Sequence, residues 1–177
     1  MKRLGLLRHA KSDWDDLSLR DFDRGLNDRG RRGAKLMGDY IREYGANWDM
    51  AIASPAERVK RTLDASELDL PVTFDEKAYL ADASTLMTLV SRHAGNSDAV
   101  LVIAHNPGMQ ELALNLVAHE DENDLFHNVM RKYPTAAFAM FELEIEDWSD
   151  LAPECGRLVH FARPRDLDAN LGPQTMG

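Results

Sequence analysis

Ala99-Val100-Leu101-Val102-Ile103-Ala104-His105-Asn106-Pro107-Gly108 is the stretch on which the fold reading turns. Six apolar residues in an unbroken run, with no polar alternation, form the pattern of a strand buried on both faces, as in the middle of a parallel sheet. The run stops at His105, and Asn106-Pro107 then has the cap-plus-proline form of a helix start. Leu112, Leu116 and Val117 give that helix an apolar face.

The same grammar recurs on either side. Residues 3–8 (RLGLLR) read as a buried first strand ending in Arg8-His9, followed by an aperiodic loop over 9–27. Asn27 or Asp28 caps a helix carrying Leu36, Met37, Tyr40, Ile41 and Tyr44, and Gly45 ends it. Residues 49–53 predict a second strand, and Ser54-Pro55-Ala56-Glu57 has the form of a capping box with Pro55 at the first helical position. A short strand at 71–75, a helix at 84–94 with Leu86, Leu89 and Val90 inward, and two late strands at 136–145 and 157–163 complete the pattern. Residues 164–177 read as a surface tail. Strands alternating with helices predict an α/β fold, a mainly parallel sheet covered on both faces. With no repeat, low-complexity segment or linker, residues 1–177 read as a single domain.

Composition narrows the functions. The net charge of −9 disfavours nucleic acid and anionic membrane as partners. The lone cysteine, Cys155, excludes an intramolecular disulfide and argues against a thiolate metal site. The start MKRLGLLRHAKSDW is interrupted by Arg8 and His9 and is too short for a signal sequence, so a cytoplasmic location is expected.

Ligands of such sheets bind beyond the carboxyl ends of the strands. Here those ends carry Arg8-His9, Ser54 with Arg58 about one turn into the next helix, and His105-Asn106. If the three strands are neighbours, spaced about 4.8 Å apart, two guanidiniums and two imidazoles surround one pocket. Guanidinium forks match phosphate oxygens, and a neutral imidazole can attack phosphorus and hold the group covalently. Singly, each residue has a plainer role: a polar loop residue for Arg8, His9 or His105, a solvated helix residue for Arg58. The acidic segment with His119, Glu120, Asp121, Glu122, Asp124 and His127 matches no ligand spacing and reads as solvated; His93 and His160 read as structural or surface residues.

These residues lie in motifs that resemble the histidine phosphatase superfamily. Leu7-Arg8-His9-Ala10-Lys11-Ser12 is similar to its signature, Ser54-Pro55-Ala56-Glu57-Arg58-Val59-Lys60-Arg61-Thr62 to its second motif, and Ala104-His105-Asn106-Pro107-Gly108 to its third. Asp21-Phe22-Asp23-Arg24-Gly25-Leu26 with Arg29-Gly30, and Tyr133-Pro134-Thr135-Ala136, resemble its short SixA-type phosphohistidine phosphatase branch. The resemblance implies a phosphoglycerate mutase-like three-layer α/β/α sandwich. It implies His9 as nucleophile, Arg8, Arg58 and His105 as phosphoryl ligands, hydrolysis by water, and no metal or organic cofactor. The implied activity is hydrolysis of a phosphomonoester or a phosphohistidine, with a SixA-type phosphohistidine phosphatase the leading assignment. The implied partner is a phosphorylated substrate such as a phosphohistidine protein, with the oligomeric state left open.

Three departures stand out. Ala10 replaces the superfamily's usual glycine, Gly25 stands where proline is common, and no carboxylate aligns firmly with the general acid, for which Glu76 and Asp82 are the candidates. Arg24 is expected to pair with Asp21 or Asp23 and is a lesser candidate for substrate contact. Phosphoglycerate mutase-like phosphotransfer and a non-catalytic phospho-ligand binding module are the competing readings. The short chain lacks room for mutase insertions, and a binding module needs no nucleophile.

Overall fold

The computed structural model describes residues 1–44 and 46–172. Six strands make one sheet: β1 (Lys2–Arg8), β2 (Met50–Ala53), β3 (Val72–Phe74), β4 (Ala99–Ala104), β5 (Phe138–Leu143) and β6 (Gly156–Ala162), in the order β3-β2-β4-β1-β5-β6. Four neighbours, β3, β2, β4 and β1, run parallel; β5 and β6 continue the sheet antiparallel. The helices are α1 (Asp28–Tyr44), α2 (Glu57–Ser66), α3 (Ala83–His93), α4 (Gly108–Asn115), α5 (Asp124–Arg131) and the short α6 (Pro164–Leu167). No helix among the described residues is long and apolar enough to cross a membrane.

The apolar run of β4 explains the layering. All six of its residues are buried. Because strand side chains alternate, Val100, Val102 and Ala104 face one side, packing with Leu4, Leu6, Leu86, Leu89, Met109, Leu112 and Val129 beneath α3, α4 and α5. Leu101 and Ile103 face the other, packing with Leu7, Met37, Ile41, Val59 and Leu63 beneath α1 and α2. Two separate cores on the two faces make the expected α/β/α sandwich. The connection from β5 to β6 holds no crossover helix, only a turn at Trp148–Asp150, and these strands accordingly pair antiparallel.

Several boundaries differ from expectation. Helix α2 starts at Glu57, not at Pro55, and its N-cap is Ala56; Ser54 instead accepts the Ala56 N–H at 3.2 Å and turns to His105. Helix α4 starts at Gly108, with the Asn106 side-chain oxygen 3.2 Å from the Gln110 N–H. The buried face of α1 includes Gly30, Gly33, Ala34 and Gly38 beside Met37 and Ile41, whereas Tyr44 is exposed: small residues let α1 approach its neighbours closely. Asn27 caps α1 by accepting the Gly30 N–H at 2.8 Å. The expected end of α1 at Gly45 lies outside the described residues, as do 173–177 of the tail. The described part of the tail is tied down, with Arg29 donating to the carbonyls of Asn170 and Gly172 at 2.9 and 2.7 Å.

Candidate active site

Strand order brings the sequence-predicted groups together. β2, β4 and β1 are adjacent, with Ala53 beside Ile103 and Arg8 beside Ala104. Ser54, His105 and His9 are therefore the first residues past three neighbouring strand ends. The backbone holds them there: the His9 N–H donates to the Ala104 carbonyl and the Ser54 N–H to that of Ile103. His9, Arg58 and His105 are buried, and the His9 and His105 ring centroids lie 5.2 Å apart.

Hydrogen bonds orient each group. The His9 Nδ1 lies 2.8 Å from the Ala10 carbonyl oxygen. A carbonyl only accepts, so Nδ1 carries the proton and Nε2 keeps its lone pair. The Ala10 N–H donates to Thr62 Oγ1 at 2.9 Å, and that hydroxyl donates to the Arg58 carbonyl at 2.7 Å, tying the loop after β1 to α2. The Ala10 side chain fills a small cluster with Leu26, Ala34 and Ala136. The chain also passes close to α1: a Cβ on Gly30 would stand 2.2 Å from the Lys11 carbonyl oxygen, so only glycine permits this approach. Arg8 donates to the Tyr133 carbonyl at 3.0 Å, and the same oxygen accepts from Asn106 Nδ2 at 2.9 Å. His105 Nε2 is 2.8 Å from Ser54 Oγ. Among the described residues, Arg8 Nε and His105 Nδ1, like Arg24 Nε and Trp48 Nε1, are buried without a hydrogen-bond partner.

Asp21 is the residue sequence reasoning undervalued. Its backbone oxygen and its carboxylate accept from the two terminal nitrogens of Arg58 at 2.7 and 2.9 Å. The carboxylate also accepts from the Tyr79 hydroxyl and, at 3.3 Å, from Arg24. Arg24 is buried and stacks 3.8 Å over the Trp14 ring, well placed for a cation–π contact. Tyr79 meets the His105 ring edge-on at 5.4 Å. The expected Arg24–Asp21 pair is present, but as part of a network that reaches Arg58; only the Asp21–Leu26 motif signalled it in the sequence.

The two acid candidates lie outside this network. Asp82 is exposed and caps α3, accepting the Thr85 N–H at 2.8 Å, which holds its carboxyl below the usual range. Glu76 is exposed in the turn Glu76–Ala78. Elsewhere, His93 contacts Asp75 at 2.8 Å, His119 contacts Glu122 at 3.2 Å, and His160 contacts Tyr40 at 3.4 Å. Gly25 has open space where a Cβ would stand, so the loop tolerates glycine there without a packing demand.

Burial dominates the electrostatics. It pushes His9 down to about 3, with His105, Arg8 and Arg58 adding to the effect against the Ala10 hydrogen bond. His105 falls to about 4, again through burial first and then Arg58 and Arg8, opposed by Asp21. For Asp21, burial alone would raise the value, but hydrogen bonds from Tyr79, Arg58 and Arg24 outweigh it and hold the carboxyl at about 2. The arrangement thus combines a neutral imidazole that has a free lone pair with two guanidiniums, a set suited to binding an oxyanion and attacking its central atom.

Residues 4–84 match the model of the histidine phosphatase superfamily (branch 1), a span that includes Arg8, His9 and Arg58. An uncharacterized protein of Mycobacterium tuberculosis is 32% identical over 160 residues, covering 90% of this chain and 100% of that one. A Mycobacterium leprae protein is 30% identical over 164 residues with the same coverage. Among solved structures, one provisionally assigned as the phosphohistidine phosphatase SixA of Agrobacterium tumefaciens superimposes with TM-score 0.75 at 27% identity, covering 92% of this chain and 99% of that chain. Its counterpart from Nakamurella multipartitia, also provisionally assigned, gives TM-score 0.83 at 24% identity, covering 92% and 96%.

Proposed function

The chain belongs to the histidine phosphatase superfamily, with the build of its SixA-like branch, and from that premise we propose that it removes phosphoryl groups from histidine side chains of partner proteins through a covalent phospho-His9 intermediate. One observation carries the reading: His9 donates Nδ1–H to the Ala10 carbonyl, leaving Nε2 as a nucleophile in a buried imidazole beside Arg8, Arg58 and His105. In this reading Nε2 attacks phosphorus, and the bond from phosphorus to the substrate nitrogen breaks. Arg8, Arg58 and His105 stabilise the charge on the equatorial oxygens, and water then hydrolyses the phosphoramidate.

One unpartnered donor fits this role. Ser54 Oγ accepts from the Ala56 N–H at 3.2 Å and shares a hydrogen bond with His105 Nε2 at 2.8 Å. Arg8 Nε is a buried donor that a phosphoryl oxygen would satisfy; leaving such a group unpaired costs about 1–3 kcal/mol.

The state of the carboxylates favours a nitrogen leaving group. An alkoxide leaves readily only when protonated by an acid. An imidazole whose other nitrogen bears a proton leaves neutral and needs none. Asp21 is held ionised at about 2, and Asp82 is engaged as a helix cap. Trp14, Leu17 and Leu19 are exposed on the loop after His9, apolar contacts that suit a protein substrate. A reducing cytoplasm accords with the single cysteine.

The test compares three substrates: a protein phosphorylated on histidine, p-nitrophenyl phosphate and 3-phosphoglycerate. The expected result is a kcat/KM at least about tenfold higher on phosphohistidine than on the aryl ester, equivalent to about 1.4 kcal/mol. Isomerisation of 3-phosphoglycerate would instead indicate a mutase, and phosphoprotein binding without phosphate release would indicate a module.

A further inference from the structure

A second concave site lies next to the first. A cavity of about 470 Å³ opens between the N-terminal turn of α1, the segment before β5 and the segment after β6. Its wall begins at Ala10 and Lys11, immediately after His9. Among the described residues, five that line it are cations, Lys11, Arg29, Lys132, Arg163 and Arg165, and none is acidic. In a chain with 30 acidic and 21 basic residues, that segregation is opposite to the overall charge.

The five do different work. Arg29 braces the wall through the carbonyls of Asn170 and Gly172, and Arg163 is paired with Asp166. Lys11, Lys132 and Arg165 have no hydrogen-bond or ion-pair partner for their charged groups among the described residues. The α1 N-terminus adds positive potential, although its Asn27 cap already occupies the Gly30 N–H. Pro134, Pro164 and Leu171 supply apolar surface beside the charges. A concave space of this size with mixed apolar and cationic walls matches a small-molecule site rather than a flat protein interface.

We propose that this cavity binds a small organic anion of about nucleotide size carrying two or more phosphate or carboxylate groups. Its position couples it to the chemistry. Lys11 is two residues from His9, and Pro134 follows Tyr133, whose carbonyl anchors Arg8 and Asn106. Ala136, on the cavity wall, donates its N–H to the carbonyls of Arg8 and His9 and has φ 59°. The anion is therefore either an effector acting through this wall or the distal portion of a substrate whose phosphoryl group lies at His9. The proposal does not depend on phosphohistidine being the substrate.

Isothermal titration of the His9→Ala protein with metal-free adenosine triphosphate, and separately with inorganic pyrophosphate, reads the site without turnover. Binding is expected for both, weakening as sodium chloride is raised. It should fall at least about tenfold, roughly 1.4 kcal/mol, in Lys132→Glu/Arg165→Glu and less in Lys132→Ala/Arg165→Ala. The same surface substitutions, introduced with His9 intact, should leave p-nitrophenyl phosphate turnover and melting temperature unchanged. Competitive inhibition of that turnover identifies the distal-substrate source, and noncompetitive effects the effector source. Equal affinity in the charge-reversed protein, whether or not Arg58→Ala weakens binding, or no binding at millimolar anion would overturn the proposal.

Discussion

His9 and His105 carry an imidazole each into a buried, cationic setting, and their protonation links the site to stability. Their folded values of about 3 and about 4 lie below the roughly 6.5 expected in the unfolded chain. As pH falls from about 6.5 towards 4, the unfolded chain gains protons that the folded one refuses, so stability drops across that window. Asp21 acts lower: its folded value of about 2 gives stability that is present above the ordinary carboxylate range and lost as pH falls towards 2. Urea midpoints measured from pH 7 to 4.5 should decline, and His9→Asn should flatten the slope by up to about 1.4 kcal/mol per pH unit. An unchanged slope would mean that His9 is not held neutral. Asp21 gives a second prediction. It compensates two buried guanidiniums, those of Arg58 and Arg24, so Asp21→Ala should destabilise by about 1–2 kcal/mol, moderated by its partial exposure. Millimolar inorganic phosphate should raise the melting temperature of Asp21→Ala more than that of the wild type, since the anion restores charge balance around Arg58. Equal shifts would remove Asp21 from this role.

Two close approaches between elements fix the scaffold of the site. Gly108 begins α4, and a Cβ there would stand 1.9 Å from the Ala81 carbonyl oxygen, so Gly108→Ala must displace either α4 or the segment before α3. A loss of about 2–3 kcal/mol by urea denaturation is expected, and an unperturbed midpoint would contradict the contact. Thr62 links α2 to the loop after β1. Thr62→Val leaves the Ala10 N–H buried and unpaired, with an expected cost of about 1–3 kcal/mol and a fall in kcat larger than any change in KM. The strands and helices were legible because β4 is uniformly apolar and α3 carries Leu86, Leu89 and Val90 at helical spacing. Helix starts were less legible. Ser54 and Asn106 have capping chemistry, yet the Ser54 hydroxyl bonds both the Ala56 N–H and His105 Nε2 and both helices begin later, because tertiary hydrogen bonds compete with local capping.

Across the whole molecule, three strand ends supplied the sequence-legible part of the site, since the parallel order β2-β4-β1 places them side by side. What sequence could not supply was the Asp21 network, because a loop between β1 and α1 has no period from which its folding back on Arg58 can be read. Nor could it show that Asp82 is committed to α3, because a carboxylate before a helix reads alike as cap or as acid. The net charge of −9 likewise conceals the cationic cavity, whose residues come from four separated segments. The central claim concerns one atom, His9 Nε2. Rapid-quench labelling with a radiolabelled phosphoryl donor should trap an acid-labile, base-stable phosphoenzyme in the wild type and none in a folded His9→Ala protein. Label retained in that variant, or mapped to a residue other than His9, would contradict the account.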